Sequence, residues 1–393
     1  MRSAREFPKA AGLAVLFGVL ALATAPPQQA RAATFTVTST FDMVDSNIGD
    51  GVCAAAPSGK CTLRAAVMEA NALSGSHKIV LQAARYSLTI AGRGEDDAQT
   101  GDLDIRQHLT IVGKGAANTI VDGNGTDRVF DVIGNLFIVP QVALAGLTVT
   151  GGSADNGGGI RTLGPAIVRV TGCTIRNNVA MFDGKGGGIY NFATMTIASS
   201  TLAQNSAGRG GGIYSYSWGL SLFGTRVLNN TASREGGGVF ADDSILKIVN
   251  SSVANNAAVN FFGPALGGGL YCAQVSAPAR VQSTKITGNQ AVTLELTGSG
   301  SGGGVYLKAN GAGATFSGCA IQDNAVRDMQ GGGSGGGTLI DGNSPVAFTN
   351  RTIISRNITG SVGGGVMGPF GSITLTGGAA ARNNIPDNIH LYF

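Results

Sequence analysis

Residues 186–209 read GGGIYNFATMTIASSTLAQNSAGR, and the chain repeats this outline along most of its length. Three glycines precede a strand-like pair at Gly157, Gly186, Gly210, Gly236, Gly267, Gly302, Gly335 and Gly363, spaced 29, 24, 26, 31, 35, 33 and 28 residues apart. A fixed element recurring at such a period marks a solenoid, whose units cannot bury an apolar face alone. In phase with it, an apolar residue is followed three positions later by an amide, at Asn178, Asn205, Asn230, Asn256, Asn289, Asn324 and Asn357, with a degenerate copy at Asn384. From first glycine to asparagine takes 19 to 22 residues, whereas asparagine to next glycine takes 5 to 13. One arc of each unit is fixed and the other varies.

That asymmetry selects an all-β fold, a right-handed parallel β-helix of about ten coils, because helical repeats need 10 to 15 residues of 3.6-period pattern that are absent. Alternation turns Ile189 inward and Tyr190 outward, and sets Met195 and Ile197 on one face. Parallel stacking of coils aligns equivalent residues, so the asparagines are expected to form a ladder in which each side-chain amide bonds the next. The glycines suit sharp corners with positive φ and close backbone approach. A phosphate-cradling loop needs a following helix and a Lys-Ser/Thr pair, and neither is present.

Composition agrees. Glycine supplies 63 of 393 residues and charged residues only 13%, while 43% hydrophobic content at regular spacing supports a packed core over disorder. Arg2, Arg5 and Lys9 precede an apolar run from Ala10 to Ala25, and Ala30-Arg31-Ala32 offers a small-residue cleavage site, so residues 1–32 read as an export signal. The signal carries four basic residues and one acidic one, which leaves +1 of the formal +4 on the remainder and no basic surplus for nucleic acid. The expected location is extracellular, cell-surface or periplasmic. Cys53 and Cys61 sit eight apart in a polar loop and are expected to bridge after export, whereas Cys173, Cys272 and Cys319 read as buried small residues. No Cys/His spacing suits a metal.

Residues 34–73 contain Cys61-Thr62-Leu63-Arg64-Ala65-Ala66 between a "DGVC" and an "EAN". This resembles the CSLREA module, which opens exported bacterial β-helix proteins. Thr replaces its Ser and Ala its Glu, so the Thr62 helix cap is kept and the returning carboxylate of a capping box is lost. The stretch from Gly101 to Gly152 is similar to the opening coils of pectin-lyase-like β-helices, and the later GGGIY units are similar to the repeats of polymorphic outer-membrane proteins. The resemblance implies a fold and an exported life and brings no settled activity. The domain reading is a signal over 1–32, an N-terminal cap over 33–78 and the β-helix over 79–393. A helix from Thr62 to about Leu73, with Leu63, Val67 and Ala70 on one face, would cover the otherwise open end of the stack.

Two features carry candidate chemistry. Glu95, Asp96, Asp97, Asp102 and Asp104 form the densest acidic run, where calcium is conceivable although no EF-hand or nonapeptide spacing is present. Outward positions four residues after the first glycine are Arg161, Tyr190, Tyr214, Phe240, Tyr271, Tyr306, Leu339 and Met367, and Phe192, Tyr216 and Trp218 widen that face on two adjoining coils. Such rings stack well on sugars, and Lys185, Arg209 and Arg234 form a basic row on three consecutive coils beside them. Acidic residues are not expected to line up on neighbouring coils; Asp155, Asp183 and Glu235 stand two, three and one residues before their glycine triplets. The expected function is therefore binding of a polysaccharide or cell-surface glycan, with a polysaccharide lyase or glycoside hydrolase acting on an acidic polysaccharide as the alternative.

Overall fold

The computed structural model describes residues 32–392 apart from 217, 275–276, 296–298, 310–311 and 330; the expected export signal lies outside them but for its last residue. Four sheets, every pairing within them parallel, run along the stack. Sheet one has twelve strands, from Thr34–Thr36 and Ser76–Val80 to Ile373–Leu375. Sheet two has eleven, from Arg85–Ser87 to Ala380–Arg382; sheet three has seven, from Ser153–Asn156 to Ala325–Asp328; sheet four has eleven, from Leu103–Ile105 to Ile389–Tyr392. One central coil visits sheet four at Ile189–Asn191, sheet one at Thr194–Ala198, sheet two at Thr201–Ala203 and sheet three at Ser206–Arg209. This is a parallel β-helix, with the right-handed sense that connections between parallel strands take.

Each coil buries its inward side chains against the coils above and below. Ile189, Met195, Ile197 and Leu202 are at most 1% exposed, and burying each such side chain is worth about 1.5–3 kcal/mol. At the corner between sheets three and four, Gly186 has φ +67°, and a Cβ on Gly188 would lie 2.6 Å from the Gly212 carbonyl oxygen and 3.0 Å from Asn205 Nδ2. The glycines and the asparagines are therefore two sides of one close approach. Asn178, Asn205, Asn230, Asn256, Asn289, Asn324, Asn357 and Asn384 are buried in a single file. Each Nδ2 donates to the next Oδ1 at 2.9–3.0 Å, and Asn388 accepts from the last.

The helix Leu63–Ala72 covers the first coils, its Leu63, Val67 and Ala70 sharing one apolar core with Ile79 and Leu109. Thr62 caps it by accepting from Ala65 N at 3.1 Å. Fully buried Arg64 bonds Asp42 and the carbonyls of Ala98, Gly101 and Asp102. Buried Glu69 accepts from Gly49 N at 2.6 Å and from Gly51 N, and Asn71 clasps the Asp104 carbonyl and the Arg106 N–H. A buried, hydrogen-bonded set of polar side chains thus ties the helix to the loop before it and to the first coil. Cys53 and Cys61 form a disulfide in the loop before the helix, and Cys173, Cys272 and Cys319 are buried. Among the described residues no helix is long and apolar enough to cross a membrane.

Candidate functional site

Parallel pairing in sheet four sets outward residues of successive coils in one column, Asp104, Asp131, Arg161, Tyr190, Tyr214, Phe240, Tyr271, Tyr306, Leu339, Met367 and His390. The aromatic part is not an open platform. Tyr190, Tyr214, Phe240, Tyr271 and Tyr306 stack with centroids 4.4–5.5 Å apart and planes within 10°. The strand spacing of about 4.8 Å falls in the range of centroid separations of offset-stacked rings, so each ring covers its neighbours' faces. Tyr214 retains only 4% exposure, which removes it from the expected sugar platform. Tyr190 and Phe192 are half-buried, Phe192 stacking on Tyr216 at 5.6 Å, while Tyr216 and Trp218 are exposed.

The basic row also changes. Lys185 pairs in register with Arg209, and Arg209 with Glu235, so Glu235 rather than Arg234 continues the row. Counted from the first glycine of each repeat, Lys185, Arg209 and Glu235 all stand one residue before it and Arg234 two before, so the offset itself places Glu235 in the row. Arg209 Nε lies 2.8 Å from Glu235, Arg234 Nη1 lies 3.0 Å from Asp183, and Lys185 Nζ stands 5.0 Å from the centre of the Tyr214 ring. The row carries little net positive charge.

What these pairs do form is the floor of a cleft of about 510 Å³. Its walls are Phe182 on one side and Phe261 and Phe262 on the other, 95%, 59% and 93% exposed. In sheet three the pairs Ala154–Ala180 and Asn156–Lys185 leave Met181–Gly184 bulged opposite the single residue Asp155, and Phe182 stands on that bulge with φ +51°, rare for a bulky side chain. The second wall is braced by Asn260, whose Oδ1 accepts from Phe262 N at 3.0 Å and whose Nδ2 donates to the Pro264 carbonyl at 2.9 Å. Both walls come from the variable arc. The sequence reading missed them because they fall outside the repeat, although "FFGP" in a long arc was a visible signal.

At the other end of the column, the second half of the acidic run folds inward. Asp102 and Asp104 are 3% and 0% exposed and meet Asp127, Arg128 and Asp131, also buried. Asp104 and Asp131 are register partners, which corrects the expectation that acids do not align on neighbouring coils. The signal was "DLDI" above "RVFDV", 27 residues on, ahead of the first glycine triplet. Arg161 grips Asp131 through Nε and Nη2, and Arg128 Nε lies 2.9 Å from Asp102 Oδ2 without hydrogen-bond geometry. Burial pushes Asp102 up to about 7 and Asp104 up to about 8, where Asp102, Asp131 and Glu95 add repulsion. Asp97 pairs with Arg106 at 2.6 Å, and Glu95 accepts from Asp97 N and Thr100 N. A pocket of about 220 Å³ is lined by Arg93, Glu95, Asp102, Asp127, Arg128, Asp155 and Arg161. Oxygens of Asp96, Asp104 and Asp131 lie within 4.8 Å of one another and, among the described residues, are the group that could hold a metal.

No protein-family description and no curated protein match the chain. Among solved structures it is similar to pectate lyase Pel9A, at 11% identity and TM-score 0.43, over 91% of this chain and 79% of that one, a likeness too distant to carry chemistry across.

Proposed function

We propose that the chain is a glycan-binding β-helix protein whose binding site is the cleft between Phe182 and Phe261–Phe262. The carrying observation is three exposed phenylalanines walling a cleft floored by the Arg209–Glu235 and Arg234–Asp183 pairs. Flat apolar rings suit the C–H faces of sugars, and fixed guanidinium and carboxylate groups suit their hydroxyls. Because the floor is charge-balanced, a neutral or weakly acidic chain fits it better than a polyanion. Asn260 holds one wall in place before binding, which limits the ordering cost. The test is calorimetry on a panel of neutral and acidic polysaccharides: Phe262→Ala and Phe182→Ala should each weaken the bound glycan about tenfold or more, with unchanged thermal stability. Unaltered affinity in both variants contradicts the assignment.

A second reading, a lyase or hydrolase, draws on the smaller pocket, where Asp102 is pushed up to about 7 and could donate a proton at neutral pH. Release of reducing or unsaturated ends from the bound polysaccharide, abolished in Asp102→Asn, would favour it over binding alone.

A further inference from the structure

We infer that Asp96, Asp104 and Asp131 form a binding site for a calcium-sized divalent cation, which clamps the loop before Asp102 onto the first coils. The three carboxylates come from separate segments, Asp96 from an exposed loop and Asp104 and Asp131 from neighbouring strands of sheet four, yet each brings an oxygen within 4.8 Å of the others. Asp104 is completely buried, and while its Oδ2 accepts from Ala98 N at 2.7 Å, its Oδ1 has no hydrogen-bond partner. A buried carboxylate oxygen left unmatched is costly and calls for a proton or a cation.

Charge favours the cation. Asp96, Asp102, Asp104, Asp127 and Asp131 gather around Arg128 and Arg161. Arg161 occupies Asp131 from one side, but a carboxylate has about four lone-pair sites and can serve a metal as well. All three ligands are carboxylate oxygens, which selects a hard ion, and the mix of one exposed and two buried ligands leaves room for the waters that calcium accepts in its flexible shell of 6–8 oxygens. This site lies apart from the phenylalanine cleft and does not depend on it.

The test uses the exported chain, with thermal unfolding and titration calorimetry in calcium chloride, in magnesium chloride and in chelator, at fixed ionic strength near pH 7.5. Calcium at about 5 mM should raise the melting temperature by about 5 °C and bind at one site. Asp104→Asn should stay folded in chelator and lose the shift, and exposed Asp96→Asn should weaken binding at least about tenfold. Should Asp104→Asn fail to fold, Asp96→Asn decides alone. No calcium response in the unaltered chain, a response to magnesium only, or an undiminished calcium response in the Asp96 variant would overturn the assignment.

Discussion

One column of sheet four is built in two ways. From Tyr190 to Tyr306 its side chains are rings that satisfy one another, stacked 4.4–5.5 Å apart. From Asp104 to Arg161 the same backbone positions carry charges, packed against further buried acids and leaving Asp104 Oδ1 and Asp127 Oδ2 without partners. Identical register therefore produces a self-sufficient support at one end and an unfinished electrostatic site at the other. In a stacked fold, regularity identifies what holds the coils together, and chemistry is to be sought where a column or an arc departs from the rule.

The largest effect should come from interrupting the repeat itself. Asn256→Ala removes donors to the Val227 carbonyl and Asn289 Oδ1 and the acceptor of Asn230 N and Nδ2; with buried groups left unpaired, it should cost about 4 kcal/mol in denaturant unfolding. Tyr271→Ala, in the middle of the ring stack, should cost about 3 kcal/mol and leave glycan affinity unchanged, which a parallel melt and calorimetric titration would establish.

The charged half should respond to pH instead. Asp102 and Asp104 bind protons more tightly in the folded chain than at the ordinary value of 3.8, so their contribution is complete below that value and is lost as pH rises through about 7 to 8. In chelator, stability should decline over that range, and Asp104→Asn should flatten the decline; a flat profile in the unaltered chain would return these groups to ordinary carboxylates. Smaller still, Phe262→Ala should cost about 1–2 kcal/mol of affinity and no stability. Trp218→Ala, exposed and outside the cleft, should change either quantity by less than about 0.5 kcal/mol, and a larger loss of affinity there would move the binding face back to the Phe192–Tyr216 side.

The coil architecture was legible because glycine and asparagine recur at fixed offsets and a parallel stack converts offsets into contacts. The direction of Tyr214 was legible too, but its burial was not, since that depends on rings 24 and more residues away closing over it. The phenylalanine cleft was hidden for the opposite reason. Phe182 stands on a bulge and Phe261 and Phe262 on a long arc, segments whose conformation no period dictates. The Asp104–Asp131 pair precedes the glycine triplets, so alignment by triplet left it unmatched although the coil-length separation of 27 residues was present in the sequence.

The most direct test of this contrast is the calcium-induced shift in melting temperature, compared between Tyr271→Ala and Asp104→Asn. A structural ring stack and a cation-binding charged end predict that Tyr271→Ala melts lower with and without calcium yet keeps the full shift, whereas Asp104→Asn melts no lower in chelator and loses it. A full shift in Asp104→Asn, or a Tyr271 variant as stable as the unaltered chain, would contradict the division of the column into a support and a site.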